Sequence, residues 1–305
     1  MTIFTWAVLR QKRVVFRGHC LVVNKYADLV LIGFTHLRMF EFIIFEHNIK
    51  SCIDVDIHDY TIQLIKCKDN MRDIRSSLKM AYKTSTLGHV YVINELIPMY
   101  CFLKEWYVMN YLEVYQLNNY TMTWSAPHVV VFDLDSTLIT DEEHVNIRCE
   151  NVYKSLEELK NMGCVLVLWS YGNREHVTHS MRVTQLNRGF FDITICGGYK
   201  VEDKISNSVS VDARRNLLYI NKPFYSDVGV ENKLPKSPRV VLWYLRKAHV
   251  NYIKTITLVD DLESNDFSYD YFVHVKKCSE PRDDWSYYHD EIVDNISQYN
   301  LLFNN

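Results

Sequence analysis

Residues 129–140 read Val-Val-Val-Phe-Asp133-Leu-Asp135-Ser-Thr137-Leu-Ile-Thr. A run of β-branched and aromatic residues like this fits a buried strand, and two carboxylates leave its carboxyl end. Side chains alternate along a strand, so the spacing predicts Asp133 and Asp135 on one side. An acid pair held there suits one metal ion together with two roles, nucleophile and proton donor. In an α/β sheet the carboxyl ends of the strands are also where ligands bind.

The chain beyond this segment alternates strands with helices. Arg148 to Met162 is amphipathic through Val152, Leu156 and Leu159, and Gly163 stands at a C-cap position. Cys164–Trp169 reads as a second strand ending at Ser170, Gly172–Arg188 as a helix, and Asp192–Cys196 as a third strand. Residues 197–235 read as irregular or hairpin-like. Ser237 and Pro238 suit the N-cap and first position of a helix running to about His249. Thr255–Val259 is a fourth strand, closed by Asp260-Asp261, and Phe272–Val275 a fifth. Such alternation predicts an α/β fold, a mostly parallel sheet with helices on both faces.

The N-terminal third is different. Short apolar runs (Val14–Phe16, Leu29–Phe34, Phe40–Phe45) look like strands or short buried segments, Asp69–Lys83 has helical spacing, and 95–117 could be another helix entered through Pro98. This predicts an N-terminal α+β extension, residues 1–120, with the break at Asn118–Pro127 and a second domain over 126–305. Residues 1–125 hold 14 Lys/Arg against 11 Asp/Glu, a balance of +3, and residues 126–305 hold 20 against 26, or −6. Neither half is basic enough for a general nucleic-acid binder. Eight cysteines scattered singly argue against a zinc module or disulfide scaffold and for a reducing compartment. Ile3–Leu9 makes a poor signal peptide and no run reaches the length of a membrane span. An intracellular protein is expected.

Four features therefore follow in order, each at a strand end or helix start: Asp133-x-Asp135-x-Thr137, Ser170, Lys236 and Asp260-Asp261. Asp54-Val-Asp56-Ile-His58 is also a spaced acid pair, but it lacks the Thr, the strand and the partners, and reads as a solvated edge. The ordered set resembles the haloacid-dehalogenase (HAD) superfamily of phosphohydrolases over about residues 128–275. Within it, Phe-Asp-Leu-Asp-Ser-Thr-Leu, Leu-Trp-Ser-Tyr-Gly-Asn-Arg-Glu-His-Val and Leu-Val-Asp-Asp-Leu are similar to a viral phosphatase-like group, nucleocapsid-assembly proteins of baculoviruses.

The resemblance implies a HAD-like (Rossmannoid) sheet and a Mg²⁺-dependent phosphatase. Asp133 would be metal ligand and nucleophile, forming an aspartyl-phosphate. Asp135 would protonate the leaving group, deprotonate the attacking water and lend its carbonyl to the metal. Asp261 would complete the metal shell, with Asp260 as ligand or orienter. Thr137 and Ser170 would donate to the phosphoryl oxygens, and Lys236 would supply fixed positive charge, with Lys233 as a competitor. Arg174 is a further candidate for binding phosphate, and Asn265 and Asp266 for supporting the metal site. The second acid, Asp135, favours a phosphatase or phosphomutase over dehalogenase or ion-pump relatives. Only 32 residues separate Thr137 from Ser170 and 65 separate Ser170 from Lys236, which leaves room for a small flap but no substantial cap. An open site fits phosphate on a macromolecule. The viral resemblance further implies a basic, protamine-like DNA-packaging phosphoprotein as substrate, nucleocapsid or capsid proteins as partners, and residence in the host nucleus and virion. A nucleic-acid end phosphatase would use the same motifs, though Lys/Arg do not cluster around them. A structural nucleocapsid component with an idle fold is the other alternative.

Overall fold

The computed structural model describes residues 3–13, 19–23, 26, 29, 37, 40–47, 59–88, 90–93, 126–141, 145–197, 208–212, 217–221, 236, 238–250 and 252–303. The chain divides into two compact units, one of residues 1–122 with 199–232 and one of 123–198 with 233–305. Val14–Phe16, most of Leu29–Phe34, the 95–117 segment, Asp54–His58, Lys233 and Ser237 lie outside the described residues.

The first unit contains β1 (Ile3–Gln11), β2 (His19–Val23), β3 (Phe40–Glu46), β4 (Tyr60–Lys68), α1 (Met71–Tyr82) and β5 (Val90–Ile93). The strands form one sheet in the order β4-β1-β3-β2-β5. β1 runs antiparallel to β3 and β4, whereas β2 runs parallel to β3 and β5. The expected α+β character is present. Helix α1 begins where Asn70 accepts the Asp73 amide at 2.8 Å, and it buries Met71, Ile74 and Leu78. The Ile3–Leu9 stretch is part of β1, and β9 (Ser208–Asp212) and β10 (Leu217–Asn221) pair antiparallel.

The second unit is a parallel sheet with the order β12-β11-β6-β7-β8, built from β6 (Val129–Phe132), β7 (Val165–Ser170), β8 (Ile193–Cys196), β11 (Ile256–Asp260) and β12 (Tyr271–His274). All four residues of β6 are buried completely, each burial contributing roughly 1.5–3 kcal/mol. One face packs Val130, Phe132, Leu166, Leu168, Val259 and Val273 beneath α2 (Asn151–Asn161), α3 (Arg174–Val183) and α5 (Trp285–Phe303). The opposite face, with Val129, Val131, Val167 and Leu258, is buried too. The connection from β8 back to β11 passes through α4 (Pro238–Lys247), whose Val241 and Leu245 are buried. Gly163 has φ +79 just after α2, the left-handed position foreseen for it.

The strand ends at Phe132, so Asp133 and Asp135 lie beyond it. The Asp133 amide still donates to Val259 O at 2.9 Å, after which the chain folds tightly: Leu134 O accepts the amides of Leu138 (3.0 Å) and Ile139 (3.1 Å). Ser136 sits in the left-handed region, φ 62, where a non-glycine side chain is strained. Arg148 holds this turn from behind. Its buried guanidinium donates to Thr137 O (3.1 Å) and Lys276 O (2.9 Å) and makes paired bonds to Asp284 (2.7 and 2.9 Å). Cys278 N donates to Ser136 O at 2.8 Å. Arg148→Ala should therefore destabilise the fold by about 2–4 kcal/mol, read as a lower denaturation midpoint, and Arg148→Lys should recover less than half because Lys cannot bond two oxygens in a fork. An unchanged midpoint for Arg148→Ala would show that the turn is held otherwise.

Candidate active site

The functional side chains gather at the carboxyl ends of β6, β7 and β11. Asp133, Asp260 and Asp261 each place a carboxylate oxygen within 4.8 Å of the others, and this group could hold a metal ion. Lys236, two residues before α4 and 1% exposed, bonds both Asp133 and Asp260, the latter at 3.0 Å. Asp260 is fully buried and accepts from Leu262 N (2.8 Å) and from Asn265 Nδ2 (3.0 and 3.1 Å). Asn265 also accepts the Lys236 amide at 3.1 Å, so it fixes the acid and the lysine together. The support expected of Asn265 is thus directed at Asp260, whereas Asp266 is exposed.

Burial is the largest influence on Asp133 and pushes its carboxyl up to about 7; Lys236 pulls it down, Asp260 pushes it up further, and a bond from Thr137 lowers it. Burial pulls Lys236 down, but attraction to Asp133 and Asp260 and their hydrogen bonds outweigh it and hold the ammonium above its ordinary range. Asp261 is raised by burial and by Asp260, with Lys236 in opposition. Thr137 is fully buried, bonds Asp133 and accepts the Asp261 amide at 3.2 Å. Its hydroxyl thus links the Asp133 carboxylate to the Asp261 backbone.

Asp135 faces the end of β7. Its Oδ2 accepts from Ser170 Oγ at 2.8 Å and its Oδ1 meets His176 Nε2 at 2.7 Å. Ser170 Oγ in turn accepts the Gly172 amide at 2.9 Å. Tyr171 is half-buried, its ring 5.2 Å from Lys236 Nζ, and burial followed by Asp260 and Asp133 raises its hydroxyl well above the ordinary range. Arg174, in contrast, is exposed as the first residue of α3 and lies near Cys196. No described bond ties it to the acids. Sequence reasoning did not single out His176 or Tyr171. Both flank Ser170 in the quoted Trp-Ser-Tyr-Gly-Asn-Arg-Glu-His run, and helical spacing of three residues from the N-cap Asn173 was the available signal for His176.

Two sets of acids thus define a compact carboxylate–lysine centre in a mixed α/β protein. The chain belongs to the family described as "Protein of unknown function (DUF705)", whose profile matches residues 4–304. It is 45% identical over 311 residues to the "Uncharacterized 38.0 kDa protein in P143-LEF5 intergenic region" of Autographa californica nuclear polyhedrosis virus, covering 98% of this chain and 97% of the relative. It is 44% identical over 304 residues to an "Uncharacterized 36.0 kDa protein" of Orgyia pseudotsugata multicapsid polyhedrosis virus, covering 98% and 97%. A "41.0 kDa" relative from Cryptophlebia leucotreta granulosis virus is 42% identical over 301 residues, covering 98% and 87%. These relatives are baculovirus proteins. A crystal structure described as "putative beta-phosphoglucomutase" from Thermotoga maritima is similar at 11% identity and a TM-score of 0.31, over 56% of this chain and 99% of that one. Among the described residues no helix is long and apolar enough to cross a membrane.

An acid held above its unfolded value keeps its proton more tightly when folded. Stability of the metal-free chain should therefore fall as pH rises from the ordinary 3.8 toward about 7, by roughly 1.4 kcal/mol per pH unit at most. Asp133→Asn removes that penalty. Its denaturation midpoint in chelator should exceed wild type at pH 8 and match it near pH 4; the opposite order would mean that Asp133 is stabilising as the anion.

Proposed function

We propose that this chain is a HAD-type, Mg²⁺-dependent phosphatase that works through a phosphorylated Asp133. The observation that carries the reading is the convergence of Asp133, Asp260, Asp261 and Lys236 beside the Asp135–Ser170 pair. Three carboxylates gather around one ammonium that bonds two of them, which leaves negative charge in excess, and hard oxygen donors suit Mg²⁺. Asp133, Asp261 and the Asp135 carbonyl would hold the ion, with Asp260 adjoining. Bound there, it would neutralise a phosphate dianion and polarise the phosphorus.

The protein groups account for the remaining chemistry. Asp133 attacks phosphorus as the bond to the leaving oxygen breaks, and Asp135 gives that oxygen its proton. Water then attacks the phosphorus, the bond to Asp133 breaks, and Asp135 takes the proton from the water. Each turnover thus replaces the proton that it spent. Lys236 carries fixed positive charge against the same oxygens, and Ser170 turns from Asp135 to the phosphoryl group.

The substrate proposed is phosphate on a basic protein, such as a viral DNA-packaging protein, with nucleocapsid components as partners and the host nucleus as the place of action. Membership in a baculovirus family supports this, as does the balance of −6 over residues 126–305, which would attract a basic chain. Phosphate on such a chain weakens its grip on DNA, and its removal restores that grip. The first unit would serve partner binding.

Asp133→Asn should lower Mg²⁺-dependent hydrolysis of an aryl phosphate by about 10³-fold or more, and chelator should abolish the wild-type rate. Wild-type rates in the variant would overturn the assignment. In competition, a phosphorylated Arg-rich peptide should be hydrolysed faster than sugar phosphates, with the advantage shrinking as salt rises. A preference for 3′-phosphorylated oligonucleotides would favour an end phosphatase.

A further inference from the structure

We propose that His176 is the positioning residue for the proton-handling carboxylate: it anchors Asp135 Oδ1, leaving Oδ2 to serve the leaving group and the water. This rests on the phosphatase reading above and assigns separate work to the two oxygens. They have different partners. Oδ1 meets the imidazole Nε2 at 2.7 Å, while Oδ2 accepts the Ser170 hydroxyl at 2.8 Å. Ser170 has a second task, because the same hydroxyl is the donor available to a phosphoryl oxygen. When it turns to the phosphoryl group, Oδ2 is released to the reacting atoms. Oδ1 keeps its imidazole, so the carboxylate stays oriented through both halves of the reaction.

The first turn of α3 is built around this contact. Asn173, extended at φ −69 and ψ 168, accepts the His176 amide at 2.8 Å, which fixes where the histidine leaves the helix. Gly172 makes the necessary space. A Cβ on Gly172 would lie 2.5 Å from His176 Cδ2 and 3.1 Å from Ser170 Oγ. Its φ is not in the left-handed region, so glycine is needed here for room and not for backbone freedom. The ring is only 21% exposed in its side chain, although its neighbours Asn173, Arg174 and Glu175 are exposed. A histidine that merely followed a helix cap would share their exposure.

In the tautomer that carries its hydrogen on Nε2, the ring donates to Asp135 Oδ1, and such a bond to a carboxylate is charge-assisted, short and directional. Without it, Asp135 would rotate and lose alignment with the leaving oxygen. General acid assistance matters most when the departing oxygen is strongly basic. An alkyl phosphate, such as phosphoserine in a peptide, needs that proton; dinitrophenyl phosphate leaves as a stable anion and does not. Because kcat/KM reports only the first, phosphorus-transferring half, it isolates this step.

The experiment measures kcat/KM for both substrates with the full chain and Mg²⁺, in wild type, His176→Ala, His176→Gln and Gly172→Ala. His176→Ala should lose about 10²-fold on the alkyl phosphate and little on dinitrophenyl phosphate. His176→Gln, whose amide can still donate to Oδ1, should recover part of the loss. Gly172→Ala, which displaces an intact ring and also crowds Ser170 Oγ, should lose at least as much on the alkyl phosphate as His176→Ala. An equal loss on both substrates, or none on either, would overturn the inference. Crystal structures of wild type and His176→Ala give a readout independent of activity: the Asp135 carboxylate should hold one rotamer in the former and turn away in the latter. The same rotamer in both would overturn the anchoring. If wild type hydrolyses neither substrate, the phosphatase reading fails, and the rotamer comparison still decides the role of His176.

Discussion

The ammonium of Lys236, buried between Asp133 and Asp260, is the contact on which the centre depends. Two carboxylates buried this closely repel each other and lose their hydration, a cost that only paired and hydrogen-bonded charge can offset. The lysine stands two residues before α4, and Asn265 grips both its amide and Asp260. Asp261 adds a third acid that Lys236 does not bond. The excess charge that remains makes the centre poor as a structural ion pair and well suited to a cation and an anion arriving together.

Rigidity of the first acid loop comes from a different source. The chain leaves β6 through a left-handed Ser136, and such strain persists where surroundings over-determine it. Here the surroundings are Arg148, the Cys278 amide and the start of α5. Tyr288 of that helix lies beneath the guanidinium, 5.2 Å from ring centre to Arg148 Cζ. The C-terminal helix therefore supports the site without entering it. Asp135 is held from the opposite side by β7 and α3, so the two acids of one short motif answer to different parts of the sheet.

Much of the second unit could be read from the sequence, because buried parallel strands are continuous apolar runs and each ended in a residue with distinctive chemistry. Asp133, Ser170, Asp260 and Asp261 stood out for that reason, and Lys236 because it comes just before a helix start. Helix α5 was not foreseen, although Trp285, Tyr288, Ile292, Ile296 and Tyr299 repeat at helical spacing; the stripe is largely aromatic and its intervening residues mix charge with polarity. β4 was missed because its exposed Ile62 and Leu64 and its buried Ile65 and Cys67 break strict alternation. Arg148 and His176 could not be assigned from motif spacing, since their partners Asp284 and Asp135 are 136 and 41 residues away. The double duty of Thr137 likewise depends on three-dimensional proximity to Asp261.

In the proposed reaction Asp133 receives phosphorus beside a cation held by the neighbouring acids. Crystals of the full chain grown with Mn²⁺ and beryllium fluoride would test it most directly, since Mn²⁺ is located by its anomalous scattering and the fluoride complex mimics a phosphoryl group on a carboxylate. The account predicts one Mn²⁺ bonded to Asp133 and Asp261, and beryllium attached to an Asp133 oxygen within reach of Lys236 and Ser170. Manganese bound elsewhere, or Asp133 carrying no beryllium and still bonded to Lys236, would speak against that reaction.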